Sequence, residues 1–533
     1  IDLKDTIRSV NQAGQKTLIL LCGSAGDGKS HLLSYLKNAD TEHLIDDYII
    51  YNDATESSEP LKTAIDTLND LLDEFKDRNL NRPGKNIILA INLGVLSNFI
   101  ESAYGKDYSL LKAFVMDHQI LGTNSNHNYD HTVPYFRSIS FSDYHMFSLQ
   151  EKQIDIAYMK NIMQKIFKKC PENIFYKSYQ KECSACSVAS KCPVKANYEY
   201  LINDNCQNYV AGLMVRTAIV DKVILTTREM LNYFYDIIVP QRFNQSKIAG
   251  SLDPAESCRN FLKQMTPALM FDYSDLTMLM NQIKKFDPLG NSSKEADTLA
   301  TGYYVSSGIS DELLQWIKST PYGILLSYPN FLEIICSDME LKLKFFETLI
   351  RIHDMSENKI RQDLYQNYLQ DLYYYNAGII NKMDRIYTMT EHAVIQWCGS
   401  ESDGKICLND QQDGYILYES IRFEPYLDAL PKVEDQNLIH KFVPEIVIGY
   451  KDSATNKLVI LHIDYSLYEL LDQLNKGYVQ TTADRNNHAD FMSFISKILK
   501  TGSYSTNLTI VAENGRKAVI EKTAFGYKFK VVR

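Results

Sequence analysis

A short glycine-rich stretch, Gly-Ser-Ala-Gly-Asp-Gly-Lys-Ser, holds the residues whose types and spacing point most directly to chemistry. It spans residues 23–30 and has the GxxxxGK[ST] spacing of a phosphate-binding loop. Gly23 and Gly28 would let backbone N–H groups approach phosphates, which a Cβ atom would obstruct. Lys29 would reach the β- and γ-phosphates, and Ser30 would bind magnesium. We therefore expect ATP with Mg²⁺ as the ligand.

The residues on either side place this loop in the expected structural context. Residues 17–22 are apolar on both faces, as a central strand buried under helices should be. A helix through Leu32, Leu33 and Leu36 follows the loop and would aim its positive end at the phosphates. The residues expected to contact the nucleotide are Gly23, Ser24, Ala25, Gly26, Asp27, Gly28, Lys29, Ser30 and His31.

The following elements predict a parallel α/β sheet. Further strands are predicted at residues 48–51, 86–91 and 136–141. Between the first two of these, apolar residues recur with helical spacing. In that helix Ser58 is expected to be the N-cap, and the apolar positions run from Leu61 to Phe75. Strands and helices thus alternate through the first 150 residues.

The acid that orients magnesium and activates water is less directly marked. The third strand ends in Asn92, where a Walker B acid would usually stand. An Asn at such a strand end resembles the sensor-1 position of AAA+-like ATPases, which positions water beside the γ-phosphate. Asp53, after the second strand, is the preferred catalytic acid, and Glu56 is the second choice. Either side chain has the alternative role of capping the next helix.

A later helix has an arginine near its N-terminus. Residues 226–238 resemble the lid helix of AAA+-like ATPases, in which an early arginine touches the γ-phosphate. Arg228 is therefore a sensor-2 candidate, and an exposed arginine at a helix N-terminus is the alternative interpretation. Arg137 and Arg216 are weaker candidates for an arginine finger that acts on a neighbouring molecule.

A cluster of cysteines suggests a metal. Cys183, Cys186 and Cys192 lie within ten residues, with Cys170 thirteen residues before them and Cys206 fourteen after. Four thiolates suit a structural zinc, and the Cys-Pro step at 192–193 leaves an Fe–S cluster open. We expect zinc bound by Cys183, Cys186 and Cys192, with Cys170 preferred to Cys206 as the fourth ligand.

The composition limits which classes of protein the chain can belong to. The 533 residues are 45% apolar and 23% charged, which is ordinary for a globular protein of several domains. Without a membrane-length apolar run or a secretory signal pattern, a cytoplasmic location with reduced thiols is expected. The net charge of −10 is uneven, with a local balance of −9 over residues 40–79 and +6 over residues 497–533. The basic end could contact a phosphate backbone or form an ordinary solvated surface.

Four domains are expected along the chain. They are a P-loop NTPase (AAA+-like) domain at 1–150, a helical lid with the cysteine cluster at 151–250, a helical domain at 251–395 and an α+β domain at 396–533. The last is predicted from short strands at residues 414–420, 443–450, 457–463, 508–512 and 527–532, and from an amphipathic helix at 467–474.

Together these motifs resemble a known family. The glycine loop, the segments at residues 51–57 and 88–94, the cysteine cluster and the segment at 463–471 are similar to DptF (DndF) proteins. These are DNA phosphorothioation-dependent restriction proteins. The resemblance implies a bacterial defence role with DptG and DptH as partners, against DNA that lacks a sulfur mark. It carries over Gly28, Lys29 and Ser30 as nucleotide-binding residues, and it implies contact with DNA through the complex.

Other functions remain as alternatives. A STAND-like signalling or scaffold ATPase would use nucleotide to control assembly without touching DNA, and a homo-oligomer is left open. A small-molecule P-loop kinase fits poorly, because no Arg-rich lid is visible. Glu445, Asp464 and Lys457 imitate part of a nuclease metal site, but the acid-x-Lys step is absent, so we do not expect nuclease activity.

Overall fold

The computed structural model describes most of the chain in two compact units. The N-terminal unit comprises Ile1–Phe147 and Ile156–Arg361, and the C-terminal unit comprises Ser148–Asp155 and Gln362–Arg533. Within them the described residues are 2–40, 42–52, 62–118, 120–121, 134–141, 144–151, 153–241, 243–244, 248, 253–290, 309–360, 363–399, 405–408, 414–427, 439–451, 457–501 and 503–532.

A four-stranded parallel sheet organises the first part of the N-terminal unit. Its strands are β1 (Leu18–Cys22), β2 (Tyr48–Tyr51), β3 (Asn86–Ile91) and β4 (Phe136–Ser140), in the order β2-β3-β1-β4. All neighbours run parallel. The predicted parallel α/β sheet is thus confirmed, with β1 between two neighbours.

Helices cover both faces of this sheet, which explains why its central strands β1 and β3 are almost entirely apolar. Alternate residues of β1 enter different cores: Leu18 and Leu20 face one, while Ile19 and Leu21 face the other. The first core is closed by α3 (Ala64–Leu71), α4 (Leu93–Glu101) and α5 (Ser109–Asp117). The second is closed by α1 (Asp2–Ala13) and α2 (Lys29–Ala39).

In the part of the chain that the structure describes, α3 starts later than the sequence predicts. The helix begins at Ala64, and its N-cap is Thr63, whose hydroxyl accepts from the Asp66 N–H while the Asp66 carboxylate accepts from the Thr63 N–H. Ser58, the expected cap, lies outside the described residues. The pair Thr63–Asp66 has capping-box spacing, which is the stronger signal for a helix start.

The rest of the N-terminal unit is helical. Its helices are α6 (Ala157–Phe167), α7 (Ile174–Ala185), α8 (Pro193–Leu201), α9 (Asp204–Val220), α10 (Thr227–Ile238), α11 (Pro254–Lys263), α12 (Thr266–Phe271), α13 (Met278–Ile283), α14 (Asp311–Ser319), α15 (Phe331–Ser337) and α16 (Met339–Ser356). Short 3₁₀ turns join several of them, including Pro321–Ser327. Along the described part of the chain, no helix has both the length and the apolar character needed to cross a bilayer.

Asn197 joins four of these elements from a fully buried position in α8. Its amide nitrogen donates to the carbonyl oxygens of Ile238 at 3.0 Å and Gln264 at 2.8 Å. Its amide oxygen accepts from the Thr266 N–H at 2.9 Å and the Tyr322 hydroxyl at 3.1 Å. All four hydrogen-bonding positions of the side chain are therefore used.

The C-terminal unit is α+β. Its strands are β5 (Ser148–Leu149), β6 (Ile154–Asp155), β7 (Lys405–Cys407), β8 (Tyr415–Arg422), β9 (Ile446–Lys451), β10 (Leu458–Ile463), β11 (Ser503–Ala512), β12 (Lys517–Thr523) and β13 (Gly526–Val532). Five form an antiparallel sheet in the order β13-β12-β11-β8-β7, while β9 pairs with β10 and β5 with β6. The helices are α17 (Asp363–Asn376), α18 (Asp384–Trp397), α19 (Tyr465–Asn475), α20 (Thr482–Asn487) and α21 (Ala489–Thr501).

A buried polar cluster ties the helices of this unit together. Asp371 of α17 is 3% exposed and accepts from the Arg385 guanidinium of α18 and from the Tyr468 hydroxyl of α19. Burial raises the pKa of Asp371, while Arg385 and Tyr468 oppose that shift. The helices α17 and α18 thus belong with the strands that follow residue 396, and the division into four domains stays a prediction.

Replacing Asn197 with Leu should lower the free energy of unfolding by about 3–5 kcal/mol, because it deprives four buried groups of their partner at once. Tyr322→Phe removes only one of the four hydrogen bonds and should cost about 1 kcal/mol. Urea unfolding followed by circular dichroism measures both. Equal stabilities of Asn197→Leu and the wild-type chain would contradict the role given to this side chain.

Candidate functional site

The carboxyl edge of the parallel sheet gathers the predicted site residues. Cys22 at the end of β1 lies opposite Ile91 of β3 and Ser140 of β4. The residues that follow these three strand ends are Gly23, Asn92 and Phe141, so they leave the sheet side by side. Ligands of parallel α/β sheets bind outside this edge.

The glycine loop requires glycine for two different reasons. Gly26 and Gly28 have φ values of 97° and 95°, which residues with a side chain rarely adopt. At Gly23 the obstacle is space instead, because an added Cβ would lie 2.6 Å from Asp27 Oδ2 and 2.9 Å from Phe141 Cβ. Gly28 is the N-cap of α2, and its carbonyl oxygen accepts from the Leu32 N–H at 2.9 Å. The loop therefore runs directly into a helix N-terminus.

Side chains of the loop hold it closed. Lys29 Nζ donates to the carbonyl oxygens of Gly23 at 2.9 Å and Ser24 at 2.7 Å. The Ser24 N–H donates to Asp27 Oδ2 at 2.5 Å. Burial raises the pKa of Asp27, whereas the Ser24 N–H and the Lys29 ammonium act in the opposite direction. The ammonium thus already lies inside the loop, where a phosphate would be bound.

Ser30 connects the loop to the end of β2. Its hydroxyl donates to the Asn52 carbonyl oxygen at 3.4 Å. Asp53, the expected catalytic acid, is the next residue along the chain, but it and Glu56 lie outside the described residues. The structure thus brings the Ser30 hydroxyl to the residue that precedes Asp53.

Asn92 lies beside the loop as the N-cap of α4. Its Oδ1 accepts from the Gly94 N–H at 3.1 Å. Because the cap uses the oxygen, the amide nitrogen is the group that can donate to a ligand. His31, also expected at the nucleotide, is exposed on the first turn of α2.

Arg228 is brought to the loop by the helical part of the same unit. An added Cβ on Gly26 would lie 2.9 Å from Arg228 Cβ and 3.3 Å from its Nε, so the arginine packs directly over this glycine. The start of α10 is fixed by a capping box between Thr226 and Glu229. Glu229 also acts electrostatically on Asp27. Sequence reasoning overlooked Glu229, although its spacing from Thr226 is a capping-box signal.

The two weaker arginine candidates lie elsewhere. Arg137 is in β4 opposite Ile19, three residues before the strand ends, and its Nη1 donates to the Phe136 carbonyl at 2.7 Å. Arg216 is 4% exposed and stacks on the ring of Phe286 at 4.1 Å. An arginine so deeply buried cannot reach a neighbouring molecule, so Arg216 is wrong as a finger that acts in trans.

The cysteine cluster occupies the turn between α7 and α8. Cys183 is in the last turn of α7, Cys186 is its C-cap, and Cys192 is the N-cap of α8. Burial raises the pKa of the Cys183 and Cys192 thiols, and the neighbouring thiols raise it further. The three thiols therefore influence one another. Over the described ranges, however, no three Cys, His, Asp or Glu side chains are grouped closely enough to hold a metal ion.

The two candidates for a fourth ligand differ in their surroundings. Cys206 is fully buried in α9, where hydrogen bonds link its thiol to Tyr200 and Ser356, and burial raises its pKa to about 11. Cys170 is half-buried in the turn before α7, and its backbone carbonyl accepts from the Asn173 N–H at 3.1 Å. The thiol of Cys206 is thus engaged in the helical core, which favours Cys170.

Comparison of the chain with protein-family models, with curated proteins and with solved structures finds no match. Its function has to be inferred from its own fold and side chains.

Gly26→Ala should destabilise the nucleotide-free protein more than Gly28→Ala. The two glycines have nearly the same positive φ, so alanine is strained by about 1–2 kcal/mol at either site. Only at Gly26 would the new Cβ meet a neighbour, since nothing lies within 4 Å of a Cβ at Gly28. We expect an additional loss of about 1 kcal/mol or more at Gly26, measured by urea unfolding. Equal losses would mean that Arg228 is not held over the loop.

Proposed function

We propose that this chain is a P-loop NTPase that binds and hydrolyses ATP with Mg²⁺. The observation that carries the proposal is the loop at residues 23–30. It joins a central parallel strand to a helix N-terminus, has two glycines at positive φ, and encloses the Lys29 ammonium. Backbone N–H groups and the start of α2 would receive the phosphates there.

Each neighbouring side chain has a role in this proposal. Lys29 would exchange the carbonyl oxygens of Gly23 and Ser24 for phosphate oxygens and oppose the charge that accumulates during transfer. Bound Mg²⁺ would neutralise phosphate charge, with the Ser30 hydroxyl as a ligand. Asp53, or Glu56 as second choice, would supply the acid that activates water.

Two further groups would sense the nucleotide. The amide nitrogen of Asn92 is available to orient water or the terminal phosphate from the strand next to β1. Arg228 lies over Gly26 and can change its contacts when phosphate enters the loop. The helical part of the unit would then respond to the state of the nucleotide, as the lid interpretation requires.

The resemblance to DptF proteins sets the biological context that we propose. The chain would act in the cytoplasm as the ATPase of a phosphorothioation-dependent restriction system, together with DptG and DptH and on DNA that lacks the sulfur mark. A STAND-like switch is the second candidate, because the contact between Arg228 and Gly26 would serve an assembly switch equally well. Stimulation of ATP hydrolysis by DNA separates the two.

We also propose a structural zinc, with an Fe–S cluster as the alternative, at Cys183, Cys186, Cys192 and Cys170. None of the twelve residues of α7 is buried, so the hydrophobic core does little to fix the position of this helix. Thiolates from the end of α7, the following turn and the start of α8 form a donor set typical of structural zinc sites. Drawn together on a metal, they would fix a segment that otherwise buries little surface.

Lys29→Ala should reduce ATP hydrolysis by at least about 100-fold and weaken nucleotide binding, because it removes the cation on the β- and γ-phosphates. Steady-state phosphate release and binding of a fluorescent ATP analogue measure the two effects. Lys37→Ala is the matched control, since Lys37 is an exposed lysine in the last turn of the same helix.

Arg228→Ala extends the same experiment. It should keep nucleotide binding and slow hydrolysis if Arg228 acts as a sensor. Wild-type turnover in Lys29→Ala would overturn the proposal, whereas wild-type turnover in Arg228→Ala alone would remove only the sensor role.

The purified chain should contain about one zinc per molecule by elemental analysis. Cys183→Ser and Cys170→Ser should lose the metal and increase proteolysis near α7. Cys206→Ser should retain the metal, because that thiol is buried beside Tyr200 and Ser356. Protein purified without chelator that contains neither zinc nor iron would disprove the site.

A further inference from the structure

The last hairpin of the C-terminal sheet exposes an aromatic face. Tyr527, Phe529 and Val531 alternate along β13, so they share one face of the strand, and they are 77%, 61% and 64% exposed. Directly opposite them on β12 are Lys522, Ile520 and Ala518. Side chains this exposed contribute little to the core of the unit. We name this surface, formed by Tyr527, Phe529, Val531, Lys522, Ile520 and Ala518, the hairpin face.

The same hairpin is strongly basic. Residues 516–532 contain five Lys or Arg and one Glu, a balance of +4 in a chain whose net charge is −10. Along β13 the order Tyr527-Lys528-Phe529-Lys530 alternates an aromatic ring with a cation. Lys530 is paired with Glu521 at 3.1 Å on the opposite face of the strands. Lys522 stands on the hairpin face itself, opposite Tyr527.

We propose that the hairpin face binds single-stranded nucleic acid. Aromatic side chains on a β-sheet provide stacking platforms for unpaired bases, and neighbouring lysines follow the phosphate backbone. Tyr527 and Phe529 lie two residues apart on one face, a separation of about 6.8 Å along the strand, so each ring can receive its own base. Lys522 lies on the same face as the rings, opposite Tyr527, and can meet a phosphate, while Lys528 projects from the other face of β13.

The charge distinguishes this occupant from a protein. The core of a protein–protein interface is depleted in lysine, whereas this hairpin has Lys522 opposite Tyr527 and a lysine directly after each ring of β13. Lysines on an edge strand also oppose pairing with another strand, which disfavours a second copy added at β13. Duplex DNA would use the lysines but would leave the rings without a partner, because its bases are stacked inside the helix.

This inference goes beyond the proposed nucleotide chemistry, since the hairpin lies in the other compact unit. In naming DNA as a natural ligand it rests on the proposed restriction role. Its test requires no ATP, so failure of the ATPase proposal and failure of this one are distinguishable.

The experiment is fluorescence anisotropy of a labelled oligo(dT) of about 20 nucleotides with the full chain, without nucleotide and at low salt. The wild-type chain should bind this strand more tightly than a duplex of the same length. Phe529→Leu and Tyr527→Leu keep apolar bulk but remove the ring. Each substitution should weaken binding by about 5- to 150-fold, which corresponds to the loss of stacking with one base.

Val479→Ala is the matched control, because Val479 is 77% exposed in the same unit but lies outside the hairpin face, and it should change binding by less than about twofold. Lys522→Ala should make the salt dependence shallower by about 0.7 in the slope of log K against log salt, which corresponds to one phosphate contact. Lys37→Ala, which removes an exposed lysine of the other unit, should bind the oligonucleotide like the wild-type chain.

Three results would overturn the proposal. The first is a wild-type chain that does not bind the oligonucleotide. The second is a loss in Val531→Ala as large as that in Phe529→Leu, which would indicate a purely apolar interface. The third is a concentration-dependent dimer in sedimentation that Phe529→Leu abolishes, since the face would then be covered by a second copy.

Discussion

The contact of Arg228 with Gly26 is the constraint on which the arrangement of the candidate site depends. Gly26 has no side chain, and Arg228 packs over the space that a side chain at this position would fill. The helix that carries Arg228 is fixed at both ends. A capping box sets its start, and the Ile238 carbonyl at its end accepts from the buried Asn197. A displacement of Arg228 by phosphate would therefore act on a helix that is anchored in the helical core.

The parts of this arrangement that sequence reasoning could predict are those that local pattern determines. The central strands β1 and β3 can be predicted because both of their faces are buried, which makes segments such as 18–22 apolar at every position. The helix that begins at Thr227 was visible from its resemblance to a lid helix, and its contact with the loop follows from tertiary packing alone. Asn197 carried no signal, because a buried asparagine is recognisable only from the four groups around it.

The errors have equally specific causes. Apolar spacing that begins at Leu61 predicts Ser58 as the cap of α3, whereas the Thr63–Asp66 pair marks the start of the helix. Arg216, a weaker candidate for a finger that acts in trans, is instead buried against Phe286, a partner 70 positions away that periodicity cannot reveal. The strand β12 is missing from the predicted strands because its sequence, Lys-Ala-Val-Ile-Glu-Lys-Thr, shows no regular alternation of polar and apolar residues. Only its pairing with β13 reveals which residues share a face.

Asp27 places a carboxylate inside the glycine loop. If the loop binds phosphate as we propose, a carboxylate inside it would repel the ligand, and burial already raises the pKa of Asp27. The Ser24 N–H and the Lys29 ammonium stabilise the charged form of Asp27, and the same ammonium donates to the carbonyl oxygens of Gly23 and Ser24. If phosphate binds at the loop as we propose, drawing Lys29 toward the phosphate would remove part of that stabilisation from Asp27, and Glu229, on the helix of Arg228, already adds a second negative charge near Asp27. Nucleotide binding and the position of α10 would then be coupled through charge as well as through the contact at Gly26.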